Sequence, residues 1–207
     1  MEASSPAIAN GKIFIGSTLN SNLYAINENN GSPIWFYTMS GGVIYSSPAV
    51  SGDLVFITNN NSSLYALNQS NGSAVWYDTG ELPAGILSSS PTVANNKVYI
   101  GGSVDGNVRA YNTTGSGEVA PVWTTSPQVC DAVSTQSSPA VADGIVFIGC
   151  NNGSVVALNE NTGSLIWSIK ACNNISYSSP TVADGRVYIG CKNGNITAIN
   201  ENTSALL

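Results

Sequence analysis

The stretch "ALNENTGSLIW", residues 157–167, recurs along this chain with its internal spacing largely preserved. Related copies read "AINENNGSPIW" at 25–35, "ALNQSNGSAVW" at 66–76 and "AYNTTGSGEVAPVW" at 110–123, the last with three extra residues. A fifth copy, "AINENTSALL" at 198–207, stops one residue before a tryptophan is due. A motif that returns about every 42 residues predicts an array of equivalent structural units rather than one irregular domain.

Each copy lies in a longer repeat that begins with the tripeptide Ser-Ser-Pro, at Ser4, Ser46, Ser89, Ser137 and Ser178. A turn pair follows, such as Asn10-Gly11, Asp143-Gly144 or Asp184-Gly185, and then a strand of the type "NGKIFIG". Such pairs favour two-residue hairpins, because both central residues need positive φ. Two more strands, the last bearing tryptophan, complete four short strands per repeat.

Four antiparallel strands per repeat are typical of a β-propeller blade, which buries its faces only by stacking on neighbouring blades. No segment shows a 3.6-residue period, so we assign no helix. We predict an all-β fold, a single partial propeller over residues 1–207. Its blades are approximately 4–45, 46–88, 89–136, 137–177 and an incomplete 178–207.

The tryptophan copies resemble the docking motif of the pyrroloquinoline-quinone (PQQ) repeat family, commonly A-x-D-x-x-T-G-x-x-x-W, although asparagine replaces the aspartate here. Members usually have seven or eight blades, so the resemblance implies a fragment of a larger propeller. A closed five-bladed ring and associating arcs are the alternatives. The expected role of the tryptophans is packing between blades, at Trp35, Trp76, Trp123 and Trp167.

Charge and composition exclude several classes of function. Lys and Arg total 6 against 12 Asp and Glu, a net charge of −6, which disfavours nucleic acid and anionic lipid surfaces. No apolar run approaches the roughly 18 residues that span a bilayer, so membrane insertion is not expected. Histidine is absent, which removes the commonest general base and metal ligand.

The four cysteines occupy matching places in two repeats. Cys130 and Cys172 precede a Ser-Ser-Pro, whereas Cys150 and Cys191 end equivalent second strands. Those two loops share a face of a meander, so we predict Cys130–Cys150 and Cys172–Cys191 disulfides, each worth roughly 3 kcal/mol. Unpaired thiols are the alternative, and a zinc site lacks the usual close Cys pairs.

Disulfides favour an extracellular or cell-surface location, with any signal peptide absent from this sequence. N-x-S/T sequons agree with that location, and glycosylation at them is an open prediction. They are Asn30, Asn60, Asn61, Asn68, Asn71, Asn112, Asn152, Asn174, Asn195 and Asn202.

The same family resemblance raises the possibility of an enzymatic role. It implies a PQQ-dependent dehydrogenase, in which acidic and amide ligands hold PQQ and calcium beside an Asp base. The aspartates Asp53, Asp143 and Asp184 lie in hairpin turns, where a structural role explains them. Phosphate-binding and nucleophile-elbow motifs are missing. We therefore predict no catalytic, cofactor or metal residues, and keep a PQQ- and calcium-dependent alcohol or sugar dehydrogenase fragment as the alternative.

The preferred hypothesis is a non-catalytic module that binds a protein or glycan, or self-associates, through the variable loops leading into each blade. The resemblance to outer-membrane assembly lipoproteins supports it by analogy. Candidate contact residues are Tyr45, Leu82, Ile86 and Tyr177. A structural component of a cell-surface layer is a further alternative.

Overall fold

The computed structural model describes residues 4–61, 63–79, 89–101, 105–130, 137–175 and 177–207. Within these ranges every regular element is a β-strand, as the sequence predicts. The chain divides into two compact units, Met1–Val98 with Asn112–Ala120 and Tyr99–Tyr111 with Pro121–Leu207. No helix in the described ranges is long and apolar enough to cross a lipid bilayer.

The first unit contains two complete antiparallel sheets whose strands follow one another in sequence. The first sheet comprises β1 (Ala7–Ala9), β2 (Lys12–Gly16), β3 (Asn22–Asn27) and β4 (Pro33–Thr38). The second comprises β5 (Ala49–Ser51), β6 (Leu54–Thr58), β7 (Leu64–Asn68) and β8 (Ala74–Asp78), with β12 (Gly117–Glu118) added at its edge. Apart from β12, this is the predicted blade topology.

The third sheet has the order β9-β10-β11-β13. Its strands are β9 (Thr92–Ala94), β10 (Lys97–Gly101), β11 (Val108–Asn112) and β13 (Trp123–Thr124). The second unit adds a fourth sheet of β14 (Ala140–Ala142), β15 (Ile145–Gly149), β16 (Ser154–Asn159) and β17 (Leu165–Lys170). The fifth sheet has three strands, β18 (Thr181–Ala183), β19 (Arg186–Gly190) and β20 (Ile196–Asn200), as the incomplete repeat predicts.

The first two strands of a blade meet in the tight turns that the sequence predicts. Asn10 and Gly11 adopt φ values of 50° and 75°, and Asp143 and Gly144 adopt 49° and 78°. These left-handed conformations suit asparagine, aspartate and glycine, whose small or self-bonding side chains tolerate them. The turns keep each following strand in antiparallel register with its neighbour.

The Ser-Ser-Pro signature has a structural role that its recurrence alone does not reveal. The first serine attaches the segment that enters the first strand to the end of the second strand of its own blade: the buried Ser46 hydroxyl donates to the carbonyl of Thr58 at 2.7 Å and accepts from its amide at 3.1 Å. The second serine links neighbouring blades, because the Ser47 hydroxyl accepts from the Ser5 amide at 2.9 Å. In the second unit the Ser179 hydroxyl accepts a hydrogen bond from the Ser138 amide in the same way, also at 2.9 Å.

The tryptophans connect neighbouring repeats, as expected for docking residues. Each indole N–H donates to the backbone carbonyl of the residue that follows the motif asparagine in the next repeat. The N···O pairs are Trp35–Gln69 at 3.0 Å, Trp76–Thr113 at 2.9 Å, Trp123–Glu160 at 3.0 Å and Trp167–Glu201 at 2.8 Å. Each ring also packs against an aromatic side chain of its own blade, such as Phe14 beside Trp35.

The three-residue insertion in the third repeat forms β12 rather than a simple turn. This strand pairs in parallel with β8, which places Gly117 opposite Trp76 and Glu118 opposite Tyr77. The Val119 amide extends the pairing to the Tyr77 carbonyl at 2.9 Å. The outer edge of the second blade is therefore covered by a segment of the following repeat.

Both predicted disulfides are present in the second unit. Cys130 is bonded to Cys150 and Cys172 to Cys191, with Cα–Cα distances of 5.4 and 6.2 Å. The backbone supports both bridges: the amide of Cys130 donates to the carbonyl of Gly106, and that of Cys172 to Gly153, each at 3.1 Å. The loop leading into each of these blades is thus attached to the preceding blade by hydrogen bonds and to its own blade by the disulfide.

Candidate ligand-binding groove

Three tyrosines of the first unit line a groove between its first two sheets. Tyr37 comes from β4, Tyr65 from β7 and Tyr77 from β8. The rings of Tyr37 and Tyr65 are 5.8 Å apart between centroids, and those of Tyr65 and Tyr77 are 6.1 Å apart. Tyr65 and Tyr77 lie directly opposite each other in the β7–β8 register. Strand pairing therefore sets their spacing.

The groove has a volume of about 350 Å³ and a rim of small polar side chains. Tyr65 is only 3% exposed and forms the floor, whereas Tyr37 and Tyr77 are half-buried. The polar lining residues are Ser40, Asn61, Ser63 and Thr79. Aromatic walls with a few fixed hydrogen-bonding groups are the usual composition of a ligand site.

The rim is held by a dense set of hydrogen bonds at its base. The buried Asn59 amide donates to the carbonyl of Gly41 at 2.8 Å, and its side-chain oxygen accepts from the Ser63 amide at 3.1 Å. Gly42 has a φ of 74°, and a Cβ there would lie 2.7 Å from the backbone nitrogen of Asn61. The two rim loops are therefore packed too closely for a side chain between them, which fixes the groove's shape.

The opposite rim is held by β12. The Thr79 hydroxyl donates to a carboxylate oxygen of Glu118 at 3.2 Å, so the insertion of the third repeat positions a lining residue of the groove. The same short strand, β12, therefore both covers the edge of β8 and contacts a residue that lines the groove.

The described lining residues carry no ionised group, which bears on what the groove can do. Burial, followed by the neighbouring phenols of Tyr65 and Tyr77, raises the pKa of Tyr37, so its hydroxyl stays protonated at neutral pH. The groove thus offers ring surface, neutral hydroxyls and an amide. Such groups bind and orient a ligand, and no acid–base pair is present among them to activate a nucleophile.

The residues predicted as a binding face have different locations. Tyr45 is half-buried in the first unit, and Tyr177 is 60% exposed in the second. Leu82 and Ile86 lie outside the described residues. Neither Tyr45 nor Tyr177 is among the described residues that line the tyrosine groove. Their role in recognition remains a prediction.

Sequence reasoning missed the groove because its tyrosines belong to three different strands of two repeats. The available signal was the tyrosine one or two residues after each of the first two motif tryptophans, in "IWFY" and "VWYD", together with the tyrosine of "SLYALN". Across the described residues, no group of three or more acidic or cysteine side chains is placed to hold a metal ion.

Comparison with known proteins places these features in a family. The chain is 37% identical over 84 residues to the outer membrane protein assembly factor BamB of Yersinia pestis, which covers 41% of this chain and 19% of that protein. The crystal structure of BamB from Moraxella catarrhalis superposes with a TM-score of 0.80 at 22% identity, covering 99% of this chain and 60% of the other.

The quinohemoprotein alcohol dehydrogenase of Comamonas testosteroni has the same fold, with a TM-score of 0.82 at 17% identity. The match covers all of this chain and 42% of that enzyme. The chain thus spans 60% or less of the length of these relatives. The family model described as outer membrane protein assembly factor BamB matches residues 2–120 and 104–207. The chain therefore belongs to this family of PQQ-repeat β-propellers.

Proposed function

We propose that this chain is a non-catalytic binding module of the cell envelope or surface, and that the tyrosine groove holds an extended segment of a partner protein. The observation that carries the proposal is the groove itself, three tyrosines at 5.8 and 6.1 Å spacings with a neutral polar rim. Tyrosine supplies a large contact area at small entropic cost, and serine and asparagine supply adaptable hydrogen bonds, the combination found in antibody paratopes.

Three further observations favour a protein ligand. The Yersinia relative is named an outer membrane protein assembly factor, a role that requires contact with other proteins, and the Moraxella structure is likewise of BamB. The rim is fixed by backbone hydrogen bonds, so a ligand does not have to order it. The two disulfides fit a location outside the cytosol.

A display experiment tests the proposal directly. The purified chain is immobilised and panned with a library of twelve-residue peptides, and enriched sequences are measured by titration against variants. We expect Tyr37→Ala and Tyr77→Ala to weaken binding by about tenfold or more, as for aromatic hot spots. Phe36→Ala is the matched control, because Phe36 is 63% exposed on the same strand and does not line the groove.

Two outcomes contradict the proposal. Peptides that bind equally well to Tyr37→Ala and to wild type place recognition elsewhere on the chain. Failure to enrich any peptide, combined with binding on a glycan array that Tyr37→Ala abolishes, identifies a glycan as the groove's ligand instead.

The dehydrogenase alternative rests on the likeness to quinohemoprotein enzymes, which at 17% identity shows the fold alone. Dye reduction with an alcohol or sugar in the presence of PQQ and calcium tests it. A surface-layer role predicts assembly that grows with protein concentration, which light scattering measures.

A further inference from the structure

One position of the repeat carries a buried polar side chain whose environment changes between repeats. It is the residue after the motif asparagine, whose carbonyl accepts the docking tryptophan in four of the five repeats. Glu28 is exposed at this position, whereas Gln69, Glu160 and Glu201 are 4%, 4% and 5% exposed. A polar group this deeply buried needs partners for each of its polar atoms.

Gln69 shows how the position is satisfied. Its side-chain oxygen accepts from the Asn10 amide at 3.1 Å. Its amide nitrogen donates to the carbonyls of Gly52 at 2.9 Å and Leu54 at 3.1 Å. The pocket around this position therefore supplies one side chain from the previous blade's turn and two backbone carbonyls from its own blade.

Glu201 occupies the same backbone position in the fifth repeat. Its amide donates to the Gly185 carbonyl at 3.1 Å, as the Gln69 amide does to the corresponding carbonyl at 2.8 Å. The strand registers match as well: Arg186 pairs with Asn200 just as Leu54 pairs with Asn68. The carbonyls that correspond to those of Gly52 and Leu54 are then those of Asp184 and Arg186.

The side-chain partners of Glu201 differ in chemistry. Asp143 replaces Asn10 in the facing turn, so its carboxyl takes the place of the Asn10 amide that contacts Gln69 in the second repeat. The Oε2 atom of Glu201 is buried with no hydrogen-bond partner. Burial first, and then the Asp143 charge and contact, raise the pKa of Glu201. Two carboxylates and two carbonyls are all acceptors, so this pocket lacks a donor or a cation.

Neither neighbouring side chains nor salt bridges supply what is missing. Glu160 accepts a hydrogen bond from the Tyr99 hydroxyl at 2.9 Å, but the residue equivalent to Tyr99 in the fourth blade is Phe147, which has no hydroxyl. Among the residues that the structure describes, Asp105 is paired with Arg109, whereas neither Glu201 nor Asp143 is paired with a lysine or arginine.

We infer that Glu201 and Asp143, with the carbonyls of Asp184 and Arg186, form a calcium-binding site between the fourth and fifth repeats. Calcium takes six to eight oxygen ligands and tolerates irregular geometry, and carboxylates, carbonyls and waters are its usual ligands. Asp143 is exposed, so an ion can enter from solvent. With only two carboxylates, we expect a dissociation constant on the order of 10⁻⁴ to 10⁻³ M.

The test measures calcium binding by the whole chain after treatment with a chelator. Calorimetric titration with calcium chloride is expected to show one site, and ten millimolar calcium to raise the Tm by about 3–10 °C. The double variant Glu201→Gln with Asp143→Asn recreates the Gln69–Asn10 pair without changing shape. It should fold normally and lose both the binding isotherm and the Tm shift.

A matched control removes equal charge elsewhere. Glu28→Gln with Asp53→Asn neutralises two exposed turn residues and is expected to keep the calcium response. Equal calcium responses in wild type and the Glu201→Gln, Asp143→Asn variant would overturn the site. The inference is equally wrong if calcium has no effect while stability rises as the pH is lowered, because a shared proton then joins the two carboxyls.

Discussion

A Cβ atom on Gly72 would lie 2.6 Å from the indole ring of Trp35, well inside van der Waals contact. Gly31 holds the equivalent position in the first repeat with nearly the same φ, 72° against 73°, but has no atom within 4 Å of such a Cβ. Comparing substitutions at the two glycines therefore distinguishes the cost of backbone strain from the cost of disturbing the packing of Trp35.

Alanine at these two positions should differ in cost. Gly31→Ala should lower the free energy of unfolding by about 1 kcal/mol, the cost of the left-handed backbone conformation alone. Gly72→Ala must also displace the Trp35 ring, which brings the loss to about 2–4 kcal/mol. Urea denaturation followed by tryptophan fluorescence measures both. Equal losses would show that the ring moves aside freely and that the dock is loosely packed.

Replacing the first serine of the second repeat tests the role of Ser-Ser-Pro in attaching the segment that enters the first strand to the end of the second. Ser46→Ala leaves both the amide and the carbonyl of buried Thr58 without their partner, so we expect a loss of about 2–3 kcal/mol. Ser178→Ala removes one bond, to the Gly190 amide at 3.0 Å, and should cost about 1 kcal/mol. Denaturation midpoints at constant m-value provide the comparison, and a larger loss for Ser178→Ala contradicts the assignment.

The disulfides are expected to stabilise the second unit because they restrict the conformations of its unfolded chain. They close separations of 20 and 19 residues, so removing either pair by Cys→Ser substitution should cost about 3 kcal/mol. Non-reducing peptide mapping establishes the pairing, and denaturation with and without reductant measures the effect. A different pairing, or wild-type stability unchanged by reductant, would contradict this expectation.

Acid should weaken the loop held by Asp105. Burial disfavours the charged carboxyl, but hydrogen bonds from Arg109 and Asn107 outweigh it and lower the pKa of Asp105 in the folded chain. The folded state thus binds this proton less readily than the unfolded state, where the pKa is about 3.9. The stabilisation is complete above that value and is lost as the pH falls through the lower, folded value.

Substitution isolates this contribution. Asp105→Asn is expected to flatten the fall in unfolding free energy below about pH 4, while also lowering stability at neutral pH because Arg109 stays 5% exposed without its counter-ion. Asp53→Asn, in an exposed turn, is the control for the loss of one negative charge. An identical acid profile for both variants would show that Asp105 does not contribute to the loss of stability at low pH.

The features that sequence predicted are those that every repeat encodes locally. The tight turns, the strand order and the tryptophan docks follow from residues at fixed spacing, such as Asn10-Gly11 and Trp35. The cysteine pairs were readable because two repeats place them identically. Identical local signals produce identical local geometry, which makes a repeat protein unusually predictable.

The features that sequence did not predict depend on how one repeat differs from the next. The parallel pairing of Gly117 with Trp76 joins residues 41 positions apart and has no turn signal. The burial of Glu201 could not be predicted from its neighbours in sequence, because Glu28 has the same neighbours and is exposed. The tyrosine groove needs three strands to be aligned before its residues meet.

The strand formed by Gly117 and Glu118 limits the modularity of this array. Repeat proteins are often shortened or recombined at the boundary between units, because each unit contacts only its neighbours through a uniform interface. Here the second blade takes its outermost strand from beyond the third Ser-Ser-Pro, and the compact first unit includes residues 112–120 accordingly. A cut before residue 89 would leave the β8 edge bare, so a fragment that ends with the second repeat lacks the strand that completes its sheet.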